Sequence, residues 1–152
     1  MSSDLRALPS ANDIRFLGYQ PNASELLAVA DVCVSASVWQ EGFGLAVLEP
    51  MALGVAVVAT AVGGVPEIAE DGVSGILVPA EDDAALAAAI SRLLADPTLR
   101  ARIGDAGRRR ASAHFTIEAQ IRALSELAAR AFPLVRADRL DAAPAIAERS
   151  TR

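Results

Sequence analysis

Apolar and polar positions follow two rhythms along the chain, and the change from one to the other marks the elements. Nearly unbroken apolar runs at 14–17, 31–36 ("DVCVSA"), 55–60 ("VAVVAT") and 75–78 ("GILV") predict strands. The run at 55–60 is rich in β-branched residues and flanked by glycines, which predicts a strand buried on both faces of a parallel sheet. Between the runs the apolar spacing lengthens to that of a helix. Asn22, with Glu25 three residues on, predicts a capped helix reaching Ala30. A second helix is expected from about Leu45 to Leu53, ended by Gly54 and bent at Pro50. The "VGGVPE" turn opens a short third helix. The acidic "EDD" starts a fourth, in which Leu86, Ile90, Leu93 and Leu94 share a face. Asp96-Pro97 closes it and opens a fifth, running to about His114, and a last helix from Thr116 carries Ile117, Ile121, Leu124 and Leu127 on one side.

Strand alternating with helix is the pattern of an α/β fold with a Rossmann-like parallel sheet of about four strands, flanked by helices. In such sheets a ligand binds at the carboxyl ends of the strands. The organisation expected is a leader at 1–13, one domain over 14–132, and a disordered polar tail at 133–152. A chain of 152 residues with 53% hydrophobic and 22% charged residues has the composition of a globular domain with an aliphatic core. Its net charge of −5 argues against nucleic acid as a partner. All positive charge is Arg, so the chain supplies neither a catalytic Lys nor a Lys clamp for phosphate. The start lacks the basic and apolar regions of a signal peptide, and no apolar stretch is long enough to span a bilayer, so a cytoplasmic location is the expectation.

The chemistry gathers in "WQEGFGLAVLEP", Trp39 to Pro50, where Glu41 and Glu49 stand eight positions apart around a Gly-Phe-Gly turn. This turn falls between a strand and a helix, at the carboxyl edge of the sheet. Gly42 and Gly44 let backbone approach a ligand and can take positive φ. The unpaired amides of the helix start attract an anion, phosphate above all. At 1.5 Å rise per residue the two carboxylates bracket a span of roughly 7 Å along the axis. Carboxylates accept hydroxyl protons, so the set suits a molecule with hydroxyls on both sides of a phosphate, as in a nucleotide sugar. The same spacing also fits a Glu that merely steadies a helix dipole and another that faces water, and the residues alone leave that reading open.

The run from "SASVWQEGFGLAVLEPMALG" through "VAVVATAVGGVPEIAEDGVSGILVPAEDD" resembles the C-terminal, donor-binding domain of retaining GT-B glycosyltransferases of family four. The shared pattern is Glu-x7-Glu, a small residue before the next strand, Gly-Gly, a Glu shortly after, and Gly with aliphatics. "FLGYQPNASELLAVADVCVSAS" is similar to the segment before it, and "HFTIEAQIRAL" to the closing Phe-Ser-Trp-Glu helix, with Thr116 and Ile117 in place of Ser and Trp. The likeness covers about residues 14 to 132.

By that resemblance Glu41 is the catalytic candidate, touching the donor sugar near the reacting carbon. The backbone of Gly42, Phe43, Gly44 and Leu45 would hold sugar and diphosphate, and Glu49 the ribose hydroxyls. Gly63 and Gly64 would line the cleft between two domains, though a tight turn after a strand accounts for them equally. The resemblance implies retaining transfer of a hexosyl group from a nucleotide diphosphate sugar, with neither metal nor cofactor. It places the Arg and Lys that neutralise the leaving diphosphate upstream of this segment, so the chain is expected to bind a donor yet be inactive alone. A non-catalytic nucleotide-sugar-binding module, or a relic interaction protein, is the alternative. In the strand order 3-2-1-4-5-6 the run at 14–17 becomes the third strand and 31–36 the fourth, without the two that belong between them. Either 14–17 moves beside 31–36, or a complementary N-terminal chain or second copy fills the open edge.

Residues outside the motif receive plainer expectations. Cys33 is expected to be an inert buried thiol, and His114 to complement a helix end. Arg108, Arg109 and Arg110 are expected at a solvated helix end, a membrane-surface role being the alternative. Trp39 is expected to pack under its loop, and Tyr19 to approach the nucleotide from a neighbouring loop.

Overall fold

The structure, a computed structural model, describes residues 13–40 and 42–131. Glu41, residues 1–12 and residues 132–152 lie outside it, and with them the expected leader and tail. Three parallel strands, β1 (Val32–Ser35), β2 (Ala56–Thr60) and β3 (Ile76–Val78), form a sheet in the order β1-β2-β3. The register sets Val32 beside Ala56 and Ser35 beside Ala59, then Val58 beside Ile76 and Thr60 beside Val78. The helices are α1 (Ala23–Ala28), α2 (Leu45–Leu53), α3 (Val65–Ile68), α4 (Asp83–Ala95), α5 (Pro97–His114) and α6 (Ile117–Ala131).

All five residues of β2 are buried, as its apolar run requires. Successive side chains of a strand face opposite ways, so β2 feeds two cores. Val57 and Ala59 meet Val47 and Met51 of α2, Val65 and Ile68 of α3, and Ala111 of α5. Ala56 and Val58 meet Val78 of β3, Ala89 and Leu93 of α4, and Ile103 of α5. Burying each such aliphatic side chain contributes about 1.5–3 kcal/mol before chain entropy is counted. The result is the expected parallel sheet covered on both faces.

Two helix starts are set by acidic caps, since an Asp oxygen can take an amide proton that has no acceptor within the helix. The Asp82 carboxylate accepts from the Ala85 amide at 2.8 Å, and that of Asp96 from Leu99 at 2.9 Å, with Pro97 tolerated in the first turn. Asn22 precedes α1 but makes no side-chain cap bond, contrary to the expected capping pair with Glu25. Instead the Asn22 carbonyl accepts the Glu25 amide at 3.1 Å. α2 ends at Gly54, whose φ of 81° is left-handed and whose N–H reaches the carbonyls of Pro50 and Met51. Pro50 lies buried inside α2 without ending it.

Residues 14–17 do not form the expected strand, and the sheet has three strands among the described residues instead of about four. An apolar run becomes a strand only where a neighbouring strand continues its ladder, and Gly18, at φ 65°, leaves extended backbone directly after the run. The run nevertheless sits on the β1 side: Leu17 shares a groove with Cys33 and Val34. On α6 the predicted apolar face exists but is uncovered, with Ile117, Ile121, Leu124 and Leu127 all exposed. On α4, Leu93 is buried while Leu94 is exposed, and Ala89 completes the inner face.

Candidate functional site

The site begins where β1 hands the chain to α2. Gly44 is the pivot: φ is 76°, and a Cβ there would stand 3.2 Å from Ile68 Cδ1 and 3.4 Å from Val65 Cγ2. A left-handed backbone and a crowded floor both select glycine. Gly42, by contrast, is not in the positive-φ region. The Gly44 carbonyl accepts from the amides of Val47 (2.9 Å) and Leu48 (3.1 Å), so the amides of Leu45 and Ala46 precede the first bond of the helix. With a helix dipole behind them they form an anion-attracting end at the carboxyl edge of the sheet.

Two cavities flank this helix start. Glu49, exposed one turn into α2, lines a groove of about 540 Å³ together with Ala46, Cys33, Val34, Gly18 and Tyr19. The groove is walled mostly by apolar groups, with the Glu49 carboxylate, Gln20 and the tyrosine as its polar handles, the composition of a small-molecule site. On the other side Phe43, Leu45, Leu48, His114, Phe115 and Ile117 border a second cavity of about 350 Å³. Phe43 stands edge-on to Phe115, with centroids 6.3 Å apart and planes at 74°. The side chains of Phe43 and Leu45 thus serve that second cavity, while Ala46 and Glu49 open on the groove.

Of the two glycines expected at a cleft, Gly63 takes a φ of 54° and Gly64 precedes α3 at −78°. With only four residues, α3 offers no anion site of its own. Its buried Val65 and Ile68 form the floor beneath Gly44. Gly42, Phe43, Gly44, Leu45 and Glu49 come together around one helix start; Glu41 lies outside the described residues.

Several side chains depart from expectation. Trp39 is 80% exposed instead of packed under its loop, because the Ser37 hydroxyl group bonds both the amide and the carbonyl of Trp39 and turns the backbone there. Cys33 is half-buried and faces the groove; desolvation there pushes its thiol above the ordinary value, opposed by a backbone hydrogen bond from Val34. Arg110 is no solvated end: its Nε donates to the Ile68 carbonyl at 2.7 Å and its guanidinium NH2 to that of Glu67 at 2.9 Å, tying α5 to the end of α3. It also lies 6.0 Å from the Phe115 centroid, within reach of a cation–π contact. His114 is the last residue of α5, as expected. Thr60 escaped sequence reasoning altogether: its hydroxyl donates to the Ser37 carbonyl at 2.6 Å, at the root of the loop that leads to Glu41. Nothing local marks that bond, since its partners are 23 residues apart.

Among the described residues no three His, Cys, Asp or Glu side chains are grouped to hold a metal ion. No helix among them is long and apolar enough to cross a membrane.

Known proteins resemble this chain in sequence and in fold. The family profile described as glycosyl transferases group 1 matches residues 3–110. A D-inositol 3-phosphate glycosyltransferase of Geodermatophilus obscurus is 44% identical over 118 residues, covering 75% of this chain and 25% of that protein. Among solved structures, Anabaena HepE in complex with UDP superposes with a TM-score of 0.80 at 28% identity, over 85% of this chain and 35% of that one. The same protein with UDP-glucose gives 0.78. Sucrose-phosphate synthase of Thermosynechococcus elongatus gives 0.78 at 34% identity, over 87% and 33%. The chain spans about a quarter of the length of the curated relatives it matches.

Proposed function

Since the chain belongs to the group 1 glycosyl transferases, we propose that it is the donor-binding part of a retaining glycosyltransferase and holds a nucleoside diphosphate sugar. The diphosphate lies on the Leu45 and Ala46 amides at the start of α2, and the nucleoside runs into the groove, where Glu49 accepts the ribose hydroxyl protons. The sugar points back toward Gly42 and Glu41, and Glu41 is the catalytic residue, in contact with the sugar beside the reacting carbon. Gly63 and Gly64 border the cleft facing the acceptor. The observation that carries this reading is the shared position of Glu49 and the α2 start on one 540 Å³ groove. Ligands named for the Anabaena structures, UDP and UDP-glucose, are of the proposed class.

In the transfer, the bond from the anomeric carbon to the diphosphate breaks and charge grows on the leaving phosphate. Preorganised amides stabilise that charge, and positioning supplies the rest. The chain contains no Lys, and no Arg among the described residues lines the groove, so its own contribution to the anion is amides and helix dipole. Full turnover therefore needs a complementary N-terminal region carrying the acceptor site and further cations. The uncovered apolar face of α6 is a surface such a region would bury. No metal or cofactor enters the scheme, and a cytoplasmic site of action goes with it.

The test is a calorimetric titration of the chain with UDP and UDP-glucose, repeated with GDP and ADP sugars. Binding by the wild type, weakened at least about tenfold in Glu49→Ala, is the expected result. Failure of the wild type to bind any of them overturns the reading in favour of an interaction protein that keeps only the fold. The absence of Lys favours a second reading, a binding module without transfer. Turnover with a complementary N-terminal region supplied in trans distinguishes the two.

A further inference from the structure

α3 is too short to bond its own last carbonyls, so the Glu67 and Ile68 oxygens at its end need donors from elsewhere in the fold. Arg110 of α5 supplies both. Its Nε donates to the Ile68 carbonyl at 2.7 Å and its guanidinium NH2 to the Glu67 carbonyl at 2.9 Å, a side-by-side fork that a lysine could not reproduce. What the fork holds is the floor of the α2 start. Val65 and Ile68 are each 1% exposed and stand beneath Gly44, where a Cβ would come within 3.2 Å of Ile68 Cδ1. Side chains packed this closely have no slack, so displacing α3 displaces the Gly44 backbone.

A second route leaves the same guanidinium. Its carbon lies 6.0 Å from the Phe115 centroid, and Phe115 meets Phe43 edge-on with centroids 6.3 Å apart. Phe43 directly precedes Gly44. Floor and aromatic wall thus converge on the turn from which the Leu45 and Ala46 amides emerge. Arg110 itself lines neither the Glu49 groove nor the second cavity, so it acts on a bound ligand only through these contacts.

We propose that Arg110 is a positioning residue for the diphosphate: by fixing α3 under Gly44 and Phe115 against Phe43, it aims the Leu45 and Ala46 amides. This inference rests on the donor-binding reading above. It separates two parts of the ligand. The nucleoside sits in the groove with Glu49, while the diphosphate depends on amides whose direction Arg110 sets.

The experiment measures Kd for UDP and for uridine, which lacks the phosphates, with the full chain in wild type, Arg110→Met, Arg110→Lys and Phe115→Leu. GDP with guanosine and ADP with adenosine are run in the same way, and circular dichroism and thermal unfolding accompany each variant. Arg110→Met keeps a long apolar stem without the fork, and Arg110→Lys keeps the charge without it. The ratio of the UDP Kd to the uridine Kd should rise about tenfold in Arg110→Met, with uridine binding unchanged, and should stay raised in Arg110→Lys. Phe115→Leu cuts only the aromatic route and should raise the ratio roughly threefold. An unchanged ratio in Arg110→Met, or the equal weakening of both ligands that a merely structural role would give, overturns the proposal. A wild-type ratio in Arg110→Lys overturns it too, because the charge would then act through space and the fork would be idle. If Arg110→Met fails to fold, Phe115→Leu decides: a raised ratio supports the proposal and an unchanged one overturns it. If the wild type binds none of the nucleotides, the donor-binding reading itself falls, an outcome separate from all of these.

Discussion

The backbone of Gly104, in the middle of α5, lies against the carbonyl oxygen of Gly54, so close that a Cβ on Gly104 would overlap it. The next turn repeats the approach more loosely, with a Gly107 Cβ placed 3.1 Å from the Ser74 carbonyl oxygen. These glycines let α5 sit down on the end of α2 and the start of β2. Backbone cannot yield as a side-chain tip does, so Gly104→Ala should lower stability by about 2 kcal/mol or more, and Gly107→Ala by less. Urea unfolding midpoints at constant m check the order.

Glu49→Gln tests charge at the groove without changing shape. The side chain is exposed and makes no hydrogen bond or ion pair among the described residues, so unfolding free energy should stay within about 0.5 kcal/mol of the wild type. UDP binding should weaken by about tenfold, because a neutral amide is the poorer acceptor for hydroxyl protons. A variant that binds UDP as the wild type does would remove Glu49 from the ribose.

Cys33 makes a pH prediction. Burial raises its thiol pKa in the fold above the ordinary value of 9.0, so the folded chain holds the proton more tightly than the unfolded chain. The associated stability is complete below pH 9.0 and is lost as pH climbs through the folded value, where the unfolded state deprotonates first. Cys33→Ala should flatten the fall in stability on the alkaline side, measured as unfolding free energy from pH 8 to pH 10.5. A maleimide should react slowly near pH 7, and more slowly still with UDP in the groove.

Glu81 holds a φ of 62° without being glycine. A side chain in that region suffers contact between its Cβ and the following carbonyl, and this residue is exposed and makes no side-chain hydrogen bond or ion pair among the described residues. Glu81→Gly should raise stability by roughly 0.5–1 kcal/mol, the relief exceeding the entropy glycine adds to the unfolded chain. Thermal unfolding in dilute buffer decides it.

What could be read from the sequence was what depends on neighbours in the chain. The α2 boundaries at Leu45 and Leu53, the strand buried on both faces at Ala56–Thr60, and the Asp96-Pro97 junction each follow from local spacing and caps. The Glu-x7-Glu spacing likewise places Glu49 one turn inside the helix that starts after Gly44. Contacts across the fold were not legible. Arg110 reaches residues more than 40 positions away, and its two neighbouring arginines hid it in a charge run. Thr60 reads as one more β-branched strand residue until Ser37 is brought beside it. Residues 14–17 have a strand's composition, but whether they pair depends on a neighbour that local sequence does not specify.

The position of β2 between β1 and β3 also sets a hierarchy of opening. Its five residues are buried, and the strand is paired with β1 over Ala56–Ala59 and with β3 over Val58–Thr60, so its ladder amides should exchange with solvent only through opening of the whole sheet. No strand pairs with the outer side of β1 among the described residues, and its amides that do not face β2 should exchange orders of magnitude sooner. The groove beside Glu49 is therefore half rigid and half yielding, with α2 seated on the slow core and β1 on the fast edge. A ligand spanning the two would show itself first as slowed exchange at Cys33 and Val34.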